Sequence, residues 1–256
     1  MRQYALVATA CLFAVACSDD PTGPDTSLTA EMRADVAASS GEFIAQDVET
    51  MAHSEASSTV LFAYGGDLST DGCTGALGVF LCTNTVGELD GAARLTFRDA
   101  DGEAQDDFDA TTTATAAIEL DTDGSIDRSG FEMTFATERD FAITGMAGAE
   151  TSRTWAGSGT AEVSTALHND TRGYTFASTT TYSNVVVPAS GTAPRWPVSG
   201  TATTSVDLDV TAGPDNGESA TVTATVTFNG TANVPLRVGG ADFMLNLQSH
   251  AVTGPQ

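Results

Sequence analysis

The sequence predicts a mainly β protein, a long antiparallel meander forming a barrel or sandwich, with one or two N-terminal helices packed on it. Three observations point there. From about residue 92 onward, polar and apolar residues alternate over long runs. Turn-forming residues fall between those runs. Helical spacing is confined to one segment near the N-terminus.

The first sixteen residues are of another kind. Arg2 is the only charge before Asp19, and residues 4–16 are apolar or small (YALVATACLFAVA) before the chain turns abruptly to SDDPTGPD. A basic start, a short apolar run and a small-residue cleavage site form a secretory signal. The run falls short of the roughly 20 residues a spanning helix needs, which disfavours a retained anchor. Ala14-Val15-Ala16-Cys17 resembles the lipobox of bacterial lipoproteins, in which the Cys thiol is acylated and becomes the mature N-terminus; Ala14 stands where that family usually has Leu. Ala8-Thr9-Ala10-Cys11 fits the same pattern but would leave almost no apolar core before it. The competing reading is an ordinary secretion signal with an incidental Cys17.

Residues 1–16 are therefore expected to be a lipoprotein signal peptide, with Cys17 the lipidation site. Residues 18–27 hold prolines, a glycine and three aspartates with no apolar residue, so 17–27 reads as a flexible stalk. Ser18 follows the Cys, which by resemblance to enterobacterial sorting favours the outer membrane. Residues 28–256 are read as a single β-rich domain with an N-terminal helical segment.

In that segment Leu28, Met32, Val36, Phe43, Ile44, Val48 and Met51 recur at helical spacing, with Glu31, Arg33, Asp35, Asp47 and Glu49 at other positions. Ser39 with Glu42 three residues on fits a capping box. A helix with a break, or two short ones, is expected between 28 and 53. Residues 60–64 are the first strand candidate.

The strands follow. In 201–210, Ala202, Thr204, Val206, Leu208 and Val210 take one face, while Thr201, Thr203, Ser205, Asp207 and Asp209 take the other. Residues 219–228, 175–187 and 155–167 repeat the scheme. This is the half-buried antiparallel signal. Asp101-Gly102, Asp123-Gly124, 168–173 and 213–217 carry turn chemistry. Roughly eight to eleven strands are expected. Their apolar face must be covered by closure into a barrel, by a second sheet, or by the helix.

Composition excludes several functions. The net charge is −24, all ten basic residues are arginine, and there is no lysine. A P-loop or Schiff-base lysine is impossible. Nucleic-acid binding is disfavoured, since phosphate needs a basic face. The acidity serves solubility or adaptation to high salt. With Cys11 lost and Cys17 acylated, Cys73 and Cys82 remain, nine positions apart. In an oxidising compartment they read as a disulfide; a metal or redox pair is the weaker alternative, with no C-x-x-C and no nearby His.

Three places could hold chemistry. Asp99, Asp101, Asp106, Asp107 and Asp109, then Glu119, Asp121, Asp123 and Asp127, form acidic turns, and residues 119–127 mimic the front of a calcium loop, although Gly130 stands where the bidentate carboxylate belongs. His53, His168 and His250 are the only histidines, and Gly157-Ser158-Gly159 lacks the nucleophile-elbow pattern, so no enzyme, metal or cofactor is expected. Trp155, Trp196, Phe131, Phe135 and Phe141 could line a hydrophobic-ligand cavity or simply fill the core. In residues 188–197 (PASGTAPRWP) Arg195 and Trp196 could form an exposed tip or a rigid crossover.

Residues 95–120, 139–160, 182–201 and 226–231 (LTFRDADGEAQDDFDATTTATAAIEL, RDFAITGMAGAETSRTWAGSGT, YSNVVVPASGTAPRWPVSGT, VTFNGT) carry a resemblance. They are similar to an uncharacterised family of predicted bacterial lipoproteins from environmental, high-GC organisms. The resemblance implies a lipid-anchored β-rich module and carries no activity. The expected function is a membrane-anchored envelope lipoprotein with a non-enzymatic structural or interaction role, its partners being the membrane and an unidentified protein. The alternative is a carrier of a hydrophobic ligand such as lipid, by fold-level analogy with half-barrel carriers under a helical lid.

Overall fold

The computed structural model describes residues 28–53, 60–62, 66–68 and 73–254, apart from short breaks at 77, 87–88, 107, 110, 129–130, 149, 168–171 and 190–194. The expected signal peptide, Cys17 and the stalk lie outside the described residues.

The N-terminal segment is one uninterrupted helix, α1 (Ala30–His53). Thr29 caps it, its Oγ1 accepting the Met32 N–H at 3.1 Å. The break expected near Ser39 does not occur, and Ser39 caps nothing. The reason is tertiary. At Gly41 the sheet comes close, and a Cβ there would stand 2.8 Å from Val252 Cγ2 and 3.1 Å from Leu245 Cδ1. A glycine that looks like a helix stop is thus a packing notch.

After α1, β1 (Val60–Phe62) and β2 (Gly66–Leu68) form a small separate antiparallel pair. The main sheet comprises thirteen strands. These are β3 (Cys73–Ala76), β4 (Val79–Val86), β5 (Leu89–Arg98), β6 (Ala104–Gln105), β7 (Thr115–Arg128), β8 (Phe131–Thr144) and β9 (Ser152–Leu167). Then come β10 (Gly173–Pro188), β11 (Ser199–Ala212), β12 (Ser219–Thr227), β13 (Asn233–Val238), β14 (Ala241–Asn246) and β15 (Val252–Thr253). Each pairs with its sequence neighbour, except that β5 pairs with both β6 and β7. The count exceeds expectation because short strands too brief to show alternation extend both ends.

The antiparallel meander follows from the period-two pattern. β11, for instance, buries Ala202, Thr204, Val206, Leu208 and Val210 and exposes Thr203, Ser205, Asp207 and Asp209. Asp123-Gly124 is not a turn. Leu120 and Ile126 are buried on the same face, so the alternation runs unbroken through Gly124 and β7 continues to Arg128, which pairs with Phe131. The β13–β14 connection is a two-residue turn at Gly239 (φ 51°) and Gly240 (φ 82°), where both central residues need positive φ.

The sheet stays open, and of the three ways to cover its apolar face the helix is the one used. Residues 40–48 of α1 are all buried, polar positions included, so the helix is enclosed rather than perched. It reaches Phe135 on β8 through Phe43 (ring centroids 5.7 Å apart) and His250, beyond β14, through Glu42. The seven inter-strand spacings from β8 to β15 would cover about 34 Å if flat, three times a helix diameter. The sheet must therefore curl around α1. Its free edges are short, four residues in β3 and two in β15, which limits edge-to-edge pairing.

Candidate functional site: the helix–sheet interface

The concave face is where a curved sheet under a helix would hold a ligand, and α1 occupies it. Val36, Ile44 and Val48 are almost wholly buried there, in one core cluster with Phe141, Leu236 and Leu245. Each such side chain contributes about 1.5–3 kcal/mol. Two small spaces lie between α1 and strands β8–β11, apart from an open groove of about 690 Å³ on the sheet whose lining includes no α1 residue. One of about 10 Å³ is lined by Ser39, Ser40, Arg139, Ser178, Thr180 and Thr204, among others. The other, about 50 Å³, lies against Met133, Tyr174 and Phe176. Ligand pockets run to roughly 300–1,000 Å³.

Polar side chains of α1 point into this interface, which the sequence pattern did not disclose. Asp47 is buried and accepts from Arg139 Nε of β8 at 2.8 Å and from the Tyr182 hydroxyl of β10. Arg139 also donates to the carbonyls of Glu138 (3.0 Å) and Thr160 (2.7 Å). Burial, then the negative charge of Asp47, push the Tyr182 phenol well above its ordinary range. One helical surface further on, Asp35 accepts from the Tyr174 hydroxyl at 2.6 Å, and Arg172 lies 3.6 Å away. Burial and the bond to Asp35 raise the Tyr174 phenol too. At the far side, Glu42 Oε1 faces His250 Nδ1 at 3.1 Å and receives the Gln46 amide at 2.8 Å.

The room for Arg139 is made by glycine. A Cβ at position 159 would stand 2.3 Å from Arg139 Cδ, and one at 157 would stand 2.0 Å from the Asp140 carbonyl oxygen. Gly157-Ser158-Gly159 thus has a packing purpose inside β9.

The acidic residues do not converge. Asp99 Oδ1 accepts the N–H groups of Asp101 and Glu103, and Asp109 Oδ1 those of Thr111 and Thr112. The backbone bonds from Thr111 and Thr112 hold the Asp109 carboxyl below its ordinary value. These carboxylates shape turns. Glu119, Asp121, Asp123 and Asp127 are spread along the extended strand β7, where alternate residues lie too far apart to wrap one ion. Among the described residues no group of three His, Cys, Asp or Glu side chains could hold a metal.

His53 ends α1, and His168 lies outside the described residues. Trp155, Phe135 and Phe141 are buried in the core. Trp155 and Tyr182 both stack edge-on against Phe141, at 5.5 and 5.4 Å. Nothing is described of the Phe131 side chain. Trp196 is 8% exposed, with the Arg195 guanidinium 5.1 Å above its ring, so the indole is tucked in rather than presented as a tip.

Cys73 and Cys82 are bonded across β3 and β4, where they are directly opposed in register. Compared with family models, with curated proteins and with solved structures, the chain matches none.

Proposed function

We propose that this chain is a membrane-anchored lipoprotein of the bacterial envelope whose β-rich module has a non-enzymatic, structural or interaction role. The observation that carries the role is the filled concave face. A carrier would keep that face open for an acyl chain, whereas here α1 fills it, leaving spaces of about 10 and 50 Å³. Releasing α1 to admit a lipid would break Asp47 from Arg139 and Tyr182, Asp35 from Tyr174, and Glu42 from His250. Support for the address comes from the residue pattern around Cys17 and from the disulfide, since such bonds persist in oxidising compartments. No helix among the described residues is long and apolar enough to cross a membrane, so on this reading anchoring falls to the acyl chains.

The test has two arms. The full chain and its Cys17→Ala variant are expressed in a bacterium that acylates lipoproteins. Intact-mass analysis should show a chain that starts at Cys17 and carries acyl groups, and the variant should lack both features. An uncleaved, unacylated wild type would overturn the anchoring. Detergent-purified protein is then given a fluorescent fatty acid and extracted for bound lipid. Stoichiometric ligand from either measurement would reject the filled-interior reading in favour of a carrier.

A further inference from the structure

His250 occupies the turn from β14 to β15, at the terminal edge of the main sheet, and its side chain is only 9% exposed. Its backbone is left-handed (φ 56°), a conformation uncommon for a residue with a side chain. Such outliers persist where the surroundings over-determine them. Its ring is turned toward α1. Nδ1 lies 3.1 Å from Glu42 Oε1, and Nε2 lies 3.5 Å from Glu49 Oε1. A carboxylate faces each ring nitrogen, and only the doubly protonated ring can offer a hydrogen to both. A neutral ring must turn a lone pair toward one carboxylate.

β14 is tied to β13 over six residues and Asn246 Oδ1 accepts the N–H groups of Gln248 and Ser249 in the turn, so the weakly held part of this edge is β15. β15 has two residues in register with β14, Met244↔Thr253 and Leu245↔Val252, and beside them the Asn246 N–H bonds to the Ala251 carbonyl at 2.9 Å. Val252 also sits in the notch at Gly41.

We propose that His250 is a pH-sensitive latch: as an imidazolium between Glu42 and Glu49 it clasps the terminal β14–β15 hairpin to α1, and losing the ring proton releases that edge. Glu42 and Glu49, both on α1, are the charged groups that act on the ring among the described residues. From the edge strands, Arg237 of β13 and Asp242 of β14 lie 4.0 Å from each other on the exposed side. The hydrogen bond to Glu42 raises the ring's proton affinity above the ordinary histidine value, against the opposing effect of burial. The sign follows. A group whose folded pKa is raised stabilises fully below its unfolded pKa, near 6.5, and that stabilisation is lost as pH rises through the folded value. Release therefore comes on the alkaline side, and it uncovers the β14 edge with its row of unpaired backbone groups.

The full chain is followed by NMR titration of His250 and by hydrogen exchange of residues 241–254, corrected for the intrinsic rise of exchange with pH. The expected result is a midpoint above 6.5. Edge protection should fall by about tenfold for each pH unit separating the latched and released midpoints, while α1 stays protected. Glu49→Gln should lower the midpoint with the circular dichroism spectrum unchanged, and His250→Gln should give low edge protection that no longer depends on pH. A wild-type midpoint at or below 6.5 would overturn the latch, as would edge protection that does not respond to pH. The wild-type titration alone decides the matter if a variant fails to fold.

Discussion

Asp47 of α1 and Arg139 of β8 form an ion pair at 2.8 Å, with side chains only 11% and 5% exposed. It joins helix and sheet in the middle of their interface. Removing one member strands the other charge away from water, which costs about 3–5 kcal/mol for a buried pair. Asp47→Asn and Arg139→Met should each lower stability by that amount in urea unfolding. Asp47→Leu combined with Arg139→Met should recover most of the loss, because a well-packed apolar pair can replace a buried ionic one. A single variant losing less than about 1 kcal/mol would show that water reaches the pair.

Gly157 and Gly159 leave no space for a methyl group. Their Cβ atoms would meet the Asp140 carbonyl oxygen at 2.0 Å and the Glu138 carbonyl oxygen at 2.6 Å, backbone atoms that cannot step aside. Gly157→Ala and Gly159→Ala should each cost about 3 kcal/mol or more, or prevent folding. Gly254, with nothing within 4 Å of its Cβ position, is the control. Gly254→Ala should stay within about 0.5 kcal/mol. Thermal melts of the three variants make the comparison.

The Cys73–Cys82 bond spans nine positions. Cys73→Ser with Cys82→Ser should reduce stability by about 2–3 kcal/mol through restored freedom of the unfolded chain. Reductant should lower the melting temperature of the wild type and leave that of the double variant unchanged. Equal sensitivity in both would mean the bond is not formed in solution.

The Tyr174 and Tyr182 hydroxyls donate hydrogen bonds to Asp35 and Asp47, and both phenols are raised above the ordinary value. A raised folded pKa gives stability that is complete below the unfolded value, near 10, and declines as pH climbs beyond it. On alkaline titration, tyrosinate absorbance from these two residues should appear only as the protein unfolds. Tyr174→Phe and Tyr182→Phe should each remove one late-ionising group. Ionisation of all tyrosines near pH 10 with the fold intact would refute the buried bonds.

Much of the architecture was legible because strand alternation is a local code. The faces of β9–β12 can be read from residues such as Val206 and Asp207, since a pleated strand puts neighbours on opposite sides whatever it packs against. The cysteine pair was legible once Cys11 and Cys17 are set aside as the expected signal-peptide and lipidation cysteines. The helix was misread at one point. Ser39, Gly41 and Glu42 imitate a helix boundary locally, but that reading assumes water around the turn. The interface removes the water.

Residue order alone therefore determined the alternation and facing of the long strands β9–β12 and, with Cys11 and Cys17 set aside, pointed to the pairing of Cys73 with Cys82. Only the tertiary structure decided how the apolar face is covered, because closure, stacking and helix burial all satisfy the same alternation. It also decided that Asp47 meets Arg139 and Tyr182, and that Glu42 meets His250, 208 positions away. Those partners are distant in the chain, and a charged residue carries no local mark of whether its counterpart will be water or a side chain brought in by the fold.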